Sequence, residues 1–206
     1  MRIGVFGGTF DPVHLGHLVL AENCREQGRL DQVWFIPAPA PPHKLDRPVT
    51  SFERRVEMLQ LALAGNPAFQ INEVEKDRSG PSYTVDTLAE LHHRHPGNEF
   101  FLLIGSDTLA DLPAWREPAR ILEMAGLLIW LRPMHPPLSA EELRAALGLP
   151  SDAPVKMQVV EGPLIDISSS DLRRRAAAGR TLRYLVPRAV EVYIQAHRLY
   201  ALPAGS

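Results

Sequence analysis

GGTFDPVHLGHL, residues 7–18, follows a short apolar run, RIGVFG at 2–7, and the rest of the chain is read outward from it. An unbroken apolar run of this length ending in glycine predicts a strand buried on both faces. Gly7 and Gly8 then allow a tight turn and let a ligand approach the main chain. Leu15, Leu18 and Val19 begin a helical spacing that runs to about Leu30. The start of such a helix offers N–H groups and a partial positive charge, which suit a phosphate. His14 and His17 flank that start, where two imidazoles can hold phosphate oxygens. Gly16, between them, reads as the position that lets a nucleotide lie against the helix. The blander alternative gives His14 to helix capping and makes His17 a satisfied, half-buried histidine.

Further along, QVWFIP (32–37) is a second strand stopped by proline, and PAPAPPHKLDRP (37–48) is too proline-rich for helix or strand. SFERRVEMLQLALAG (51–65) opens on a Ser N-cap and closes at Gly65. The pattern predicts further strands over 69–74, 99–105, 126–133 and 155–162. Helices are predicted over 82–95, within 107–124, and over 139–148, 168–179 and 186–200. Strands alternating with helices imply an α/β, Rossmann-like, doubly wound sheet, mostly parallel, flanked by helices and closed by C-terminal helices. The expected organisation is one domain over 1–200, with ALPAGS (201–206) as a loose tail. Such sheets bind ligands outside the carboxyl ends of their strands. The unusual residues stand there: Gly7–His17 after the first strand, His43–Lys44 after the second, Gly105–Asp107 after a central one.

The composition excludes several classes. Net charge is −2 over 206 residues, without the broad basic excess of a general nucleic-acid binder. A single cysteine, Cys24, rules out an intrachain disulfide and a cysteine-based zinc cluster. No window reaches the roughly 18 apolar residues of a membrane span, and no signal-like segment precedes the first strand. A cytoplasmic chain with neither nucleic acid nor membrane as partner is therefore expected, and self-assembly into a homo-oligomer is left open. His92, His93 and His95 lack carboxylate or cysteine partners at ligand spacing, so they read as a solvated helix terminus, and no protein metal site is expected.

The glycine loop is neither GxxxxGK[ST] nor GxGxxG. GGTFDPVHLGH instead resembles the [TH]xGH-type signature of the nucleotidyltransferases related to class I aminoacyl-tRNA synthetases. Within them the chain is similar to the bacterial nicotinate-nucleotide adenylyltransferases. GGTFDPVHLGH, PPHK, PSYTVDTL, IGSDTLADLPAW and ISSSDLR follow that family's order from residue 3 to about 175.

The resemblance assigns roles. Gly7, Gly8, Thr9, Phe10, His14, His17, Gly105 and Asp107 would bind ATP, with Asp107 accepting from ribose hydroxyls or, on a plainer reading, capping its helix. ISSSDLR (167–173) by itself is capping chemistry, yet a serine-rich helix start with an arginine one turn in also makes a triphosphate clamp. The family places Ile167 and Ser168 by the adenine, and Ser169, Ser170 and Arg173 by the phosphates, leaving Arg174 and Arg175 facing solvent. PPHK reads as a stiff proline loop or, as the family implies, as the carrier of Lys44 to the reacting phosphates. Tyr83, Thr84, Trp115 and Arg116, with Lys44 and Asp107, would bind nicotinate mononucleotide, although Trp115 also fits a plain core position. His14, His17, Lys44 and Arg173 would be the catalytic donors, Mg2+ would arrive with ATP, and deamido-NAD and pyrophosphate would be the products. Two alternatives stay open: a related adenylyltransferase acting on pantetheine phosphate, or a nucleotide-binding protein without turnover.

Overall fold

The first strand, β1 (Arg2–Gly8), is buried on both faces because its side chains divide between two apolar layers. Ile3 and Val5 enter one layer and Phe6 the other. A computed structural model describes residues 1–39, 49–78, 80–132 and 135–201, and all that follows concerns these. Beside β1, β2 (Gln32–Pro37), β3 (Phe69–Ile71), β4 (Glu99–Gly105), β5 (Ala125–Trp130) and β6 (Met157–Val160) complete a sheet ordered β3-β2-β1-β4-β5-β6. Every neighbouring pair in it is parallel.

One layer packs α1 (Leu15–Gln27), α2 (Phe52–Leu63), α7 (Ser169–Ala177) and α8 (Arg188–Ala196) over Phe6, Val33, Phe35, Phe101 and Leu128. The other packs α3 (Thr84–Arg94), α4 (Ser106–Asp111), a 3-10 turn (Leu112–Ala114), α5 (Pro118–Met124) and α6 (Ala140–Ala146) over Ile3, Val5, Trp34, Leu102 and Ile129. This is the doubly wound α/β architecture that alternating strands and helices predict.

The site's location follows from register. β1 pairs with β4 only from Arg2↔Glu99 to Val5↔Leu102. Beyond that, β1 stays with β2 as far as Gly8↔Pro37, and β4 stays with β5 as far as Gly105↔Trp130. The two strands therefore part at their carboxyl ends, where the chain order reverses, and a crevice opens there.

Several boundaries differ from expectation for local reasons. β3 stops at Ile71 because Asn72 turns the chain, its side-chain carbonyl accepting from the Val74 amide at 3.0 Å. The stretch 107–124 breaks into three short pieces at Pro113 and Pro118, with Glu117 between them in a left-handed conformation at φ 49°. α1 ends at Gln27 because Arg29 turns left-handed at φ 50°, the Leu30 and Arg29 amides closing on the Arg25 and Glu26 carbonyls at 2.8 and 3.1 Å. The histidines of α3 are not simply solvated. His92 bonds the Met124 carbonyl through Nε2 at 2.8 Å and meets Phe100 edge-on, and His95 meets Trp34 edge-on; only His93 is exposed. Of the expected tail, 202–206 lies outside the described residues.

Candidate active site

The loop from Gly7 to His14 is shaped from below by aromatic packing. Phe10 is fully buried at φ 50°, a left-handed conformation costly for a bulky residue. Its ring lies edge-on to Phe6 and His17, at 5.5 and 5.1 Å between centroids. It stands where a Cβ on Gly8 would come within 2.8 Å, so Gly8 is glycine to admit Phe10. Gly7 is exposed with open space where its side chain would be. Phe10 thus supports the loop from the core and does not line the cavity.

His14 is the N-cap of α1 and is only 2% exposed. Burial, followed by the nearby Arg132 guanidinium, pushes its pKa down to about 3, so the free chain carries a neutral imidazole here. Its Nδ1 is buried with no hydrogen-bond partner. A Cβ on Gly16 would fall 3.1 Å from that atom. Gly16 therefore makes room for the His14 ring, a packing reason for glycine beside the expected approach of a nucleotide.

The His17 ring stacks on His14 at 3.6 Å and 24°, and the His14 backbone N–H donates to His17 Nδ1 at 3.2 Å. With Nδ1 accepting, the neutral ring carries its proton on Nε2. His17 lines the cavity.

α7 docks on the same loop from the far end of the chain. Ser169 Oγ donates to the Pro12 carbonyl at 2.9 Å, and Arg173 Nη1 to the Asp11 carbonyl at 2.7 Å. Arg173 Nη2 reaches Ser170 Oγ at 3.1 Å, while Ser168 caps the helix by accepting from the Asp171 amide. Ile167 packs half-buried against the core. Of the two following arginines only Arg174 is exposed; Arg175 is half-buried and donates to the Thr181 carbonyl at 3.2 Å. These contacts bring the histidine loop and the serine-rich helix start together, although they are more than 150 residues apart in sequence.

A cavity of about 400 Å3 occupies the crevice between β1 and β4. Gly7, Gly8, Thr9 and His17 line it from β1, its loop and α1, Gly105 and Asp107 from the end of β4 and the start of α4, and Tyr83, Thr84, Trp115 and Arg116 from the start of α3 and the turn after the 3-10 piece. Asp107 is exposed in the first turn of α4; Gly105 is the N-cap, so Asp107 does not fill the capping position. Arg116 lies 5.0 Å over the Tyr83 ring and 3.5 Å from Asp86, which holds the α3 start against the Trp115 turn. His14, Phe10, Ile167, Ser168, Ser169, Ser170 and Arg173 stand outside the cavity's lining, and Lys44 lies outside the described residues.

Comparison with known proteins agrees with this layout. The cytidylyltransferase-like family matches residues 5–175. A protein of Thermomicrobium roseum named "probable nicotinate-nucleotide adenylyltransferase" is 48% identical over 199 residues, covering 97% of this chain and 91% of that one. One of the same name from Thermus thermophilus is 46% identical over 200 residues, covering 97% of this chain and 100% of that one. The chain belongs to the nicotinate-nucleotide adenylyltransferases, within the cytidylyltransferase-like family. The structure of Plasmodium falciparum nicotinic acid mononucleotide adenylyltransferase complexed with NaAD shares the fold, with TM-score 0.78 at 20% identity over 97% of both chains.

For a nicotinate-nucleotide adenylyltransferase the cavity holds residues that sequence reasoning passed over. Arg132 lines it two residues past β5, with Nε buried and unpartnered, Nη1 on the Ile165 carbonyl at 3.4 Å, and its amide on Ser106 Oγ at 2.9 Å. An arginine just past a strand's carboxyl end was the available signal. Glu75 also lines the cavity, accepting from Thr87 Oγ1 beside Arg78, and Ser82 contributes a buried, unpartnered Oγ. Among the described residues no three or more His, Cys, Asp or Glu side chains gather as a metal site. No helix among them is long and apolar enough to cross a membrane.

Proposed function

We propose that this chain performs its family's reaction: it transfers the adenylyl group of ATP to nicotinate mononucleotide, releasing pyrophosphate and deamido-NAD, in NAD biosynthesis. One observation carries the reading. A single cavity runs from a glycine loop with His17 to a pocket with Trp115 and the start of α3. A phosphate site and an aromatic site thus share one enclosure, as joining two mononucleotides requires.

The nucleophile is the phosphate of the mononucleotide, whose second pKa near 6 leaves it largely dianionic at pH 7. Its oxygen forms a bond to the α-phosphorus of ATP as the bond to the β-phosphate oxygen breaks, and pyrophosphate leaves with the electron pair. No protein base is needed. The chain supplies alignment and opposite charge.

His17 Nε2–H and Arg132, which line the cavity, offer donors to the triphosphate, with His14 as a neutral partner stacked behind His17; Arg173, outside that lining and held by the Asp11 carbonyl and Ser170 Oγ, joins them by family resemblance. Ser169 and Ser170 fix the α7 start beside them. Lys44 belongs to this group by family resemblance. Asp107 is placed to accept from a ribose hydroxyl. The first amides of α3 at Thr84, which lines the same cavity, suit the nicotinate carboxylate, since helix-start N–H groups lack intrahelical partners. Trp115 gives the pyridine ring a flat face. The cavity holds two carboxylates, Asp107 and the engaged Glu75, so Mg2+ enters held mainly by ATP oxygens and supplies charge neutralisation there. A cytoplasmic location, where ATP is available, fits this reading.

Pyrophosphate release with MgATP and nicotinate mononucleotide, nicotinamide mononucleotide or 4′-phosphopantetheine tests it. Strong turnover with the nicotinate form alone is expected. Release only with phosphopantetheine would keep the phosphate site and overturn the assignment of Thr84 and Trp115.

A further inference from the structure

Arg55 is the largest fully buried side chain among the described residues, 1% exposed, on a helix whose other buried positions are Val56, Met58, Leu59 and Leu63. A methionine would fill such a place without taking a charge out of water, so the guanidinium calls for a reason. It sits in the first turn of α2 and reaches back past the helix start to three backbone carbonyls. Nη1 donates to Thr9 at 2.8 Å and to Ala38 at 2.9 Å, and Nε donates to Thr50 at 2.9 Å. These carbonyls belong to the loop after β1, to the residue after β2 and to the approach to α2.

The first contact falls at a strained point. Thr9 precedes Phe10, whose left-handed backbone persists only where its surroundings hold it. Asp11, on the other side of Phe10, is 2% exposed and equally engaged. Its Oδ1 accepts from Tyr200 OH at 2.6 Å and its Oδ2 from the Thr50 amide at 3.3 Å. The Asp11 carbonyl receives Arg173. Arg55 and Asp11 thus bracket Phe10, one holding the carbonyl before it and the other the chain after it.

We propose that Arg55 is a positioning residue for adenylyl transfer. It holds the Thr9 carbonyl so that the Gly7–Thr9 backbone and His17, above Phe10, keep their places on the cavity wall. The same guanidinium fixes the ends of β2 and α2 to that loop. This inference rests on the adenylyltransferase reading for its kinetic consequence, and on the fold alone for its structural one. Lysine cannot replace the fork, because one ammonium on a flexible stem does not reproduce Arg55's spread of donors to three carbonyls.

The test compares wild type, Arg55→Lys and Arg55→Met for thermal midpoint, for kcat and both KM values below that midpoint, and for amide exchange at residues 8–11. Arg55→Met is expected to lower kcat by about 30-fold or more, as small misplacements of reacting groups do, and Arg55→Lys by about 10-fold. KM for nicotinate mononucleotide should stay within about threefold in both, because Arg55 bonds Thr9, Ala38 and Thr50 and neither Trp115 nor the start of α3 at Thr84. Exchange at residues 8–11 should rise relative to β4 in either variant, a readout that holds whether or not the wild type turns over. Millimolar guanidinium, but not methylammonium, should restore part of the kcat of Arg55→Ala. If Arg55→Met does not fold, Arg55→Lys carries the comparison. A lower midpoint with kcat within threefold of wild type and unchanged exchange at 8–11 would make Arg55 a mere stability residue and overturn the proposal. Wild-type protein inactive with every substrate would instead overturn the adenylyltransferase reading, and the exchange result would still decide the role of Arg55.

Discussion

Protonation of His14 gives a quantitative handle on the site. Its imidazole has an ordinary pKa of 6.5 and is held near 3 in the folded chain, by burial first and Arg132 second. Between those values the unfolded chain binds a proton at this position and the folded chain does not. Unfolding therefore takes up a proton there, and stability rises with pH through that window. Read downward, the loss begins as pH falls below about 6.5 and is complete near 3. At pH 5 the unfolded site is almost fully protonated and the folded site is not, so the linkage costs about 2 kcal/mol relative to pH 7. That figure is set by the unfolded-state value as long as the folded one lies below about 4.

His14→Asn removes the titration while keeping a polar side chain. Glu22, Glu90, Glu99 and Glu142, whose carboxyls are all held low by hydrogen bonds, remain in both proteins and cancel in the difference. Urea unfolding of both proteins at pH 7, 6 and 5 should show the wild type losing about 2 kcal/mol more than the variant. A difference constant across that range would mean that His14 takes up its proton in the folded state, and the neutral stacked pair would be wrong.

His17→Ala should lower kcat by ~10²-fold or more with the fold intact, as removal of one preorganised donor does; a loss below about threefold would refute its role. Trp115→Ala should raise KM for nicotinate mononucleotide about 10-fold with kcat largely kept, and an unchanged KM would take Trp115 out of the pocket. Gly16→Ala places a methyl 3.1 Å from His14 Nδ1, so the ring must move. Urea unfolding should show a loss of about 1–3 kcal/mol, with kcat falling alongside; a neutral result would free Gly16 of that duty. Chelating Mg2+ should stop turnover and leave the thermal midpoint of the free chain unmoved, because the metal travels with ATP; a falling midpoint would reveal a protein-held ion.

The fold was legible where chemistry is local. Apolar runs ending in glycine or proline marked β1, β2 and β4, and Ser51 marked the start of α2, where it accepts from the third amide of the helix. The site was legible where a motif lies along one loop, as in Gly7–His17, or opens one helix, as in Ser169–Arg173. Residues whose meaning depends on what faces them were hidden. Arg55 reads in sequence as one charge among FERR at a helix start, and only the convergence of three chain segments makes it buried. Arg132 reads as the end of a strand, and its approach to His14 depends on β5 lying beside β4. Gly16 and Phe10 have packing roles, room for the His14 ring and support under the loop, that show only once the rings beside them are in place. His92 and His95 passed for solvent-facing because their partners, Met124, Phe100 and Trp34, belong to other elements.

The most direct test is whether the ionisation that governs turnover belongs to the substrate or to the protein. The measurement is kcat/KM against pH for nicotinate mononucleotide and for its thiophosphate analogue, whose second ionisation lies lower. Transfer without a protein base predicts a rise to a plateau whose midpoint lies near 6 for the natural substrate and moves down with the analogue. A midpoint that stays in place when the nucleophile's own pKa changes would assign the ionisation to a protein group and contradict a site built to hold phosphates without removing a proton.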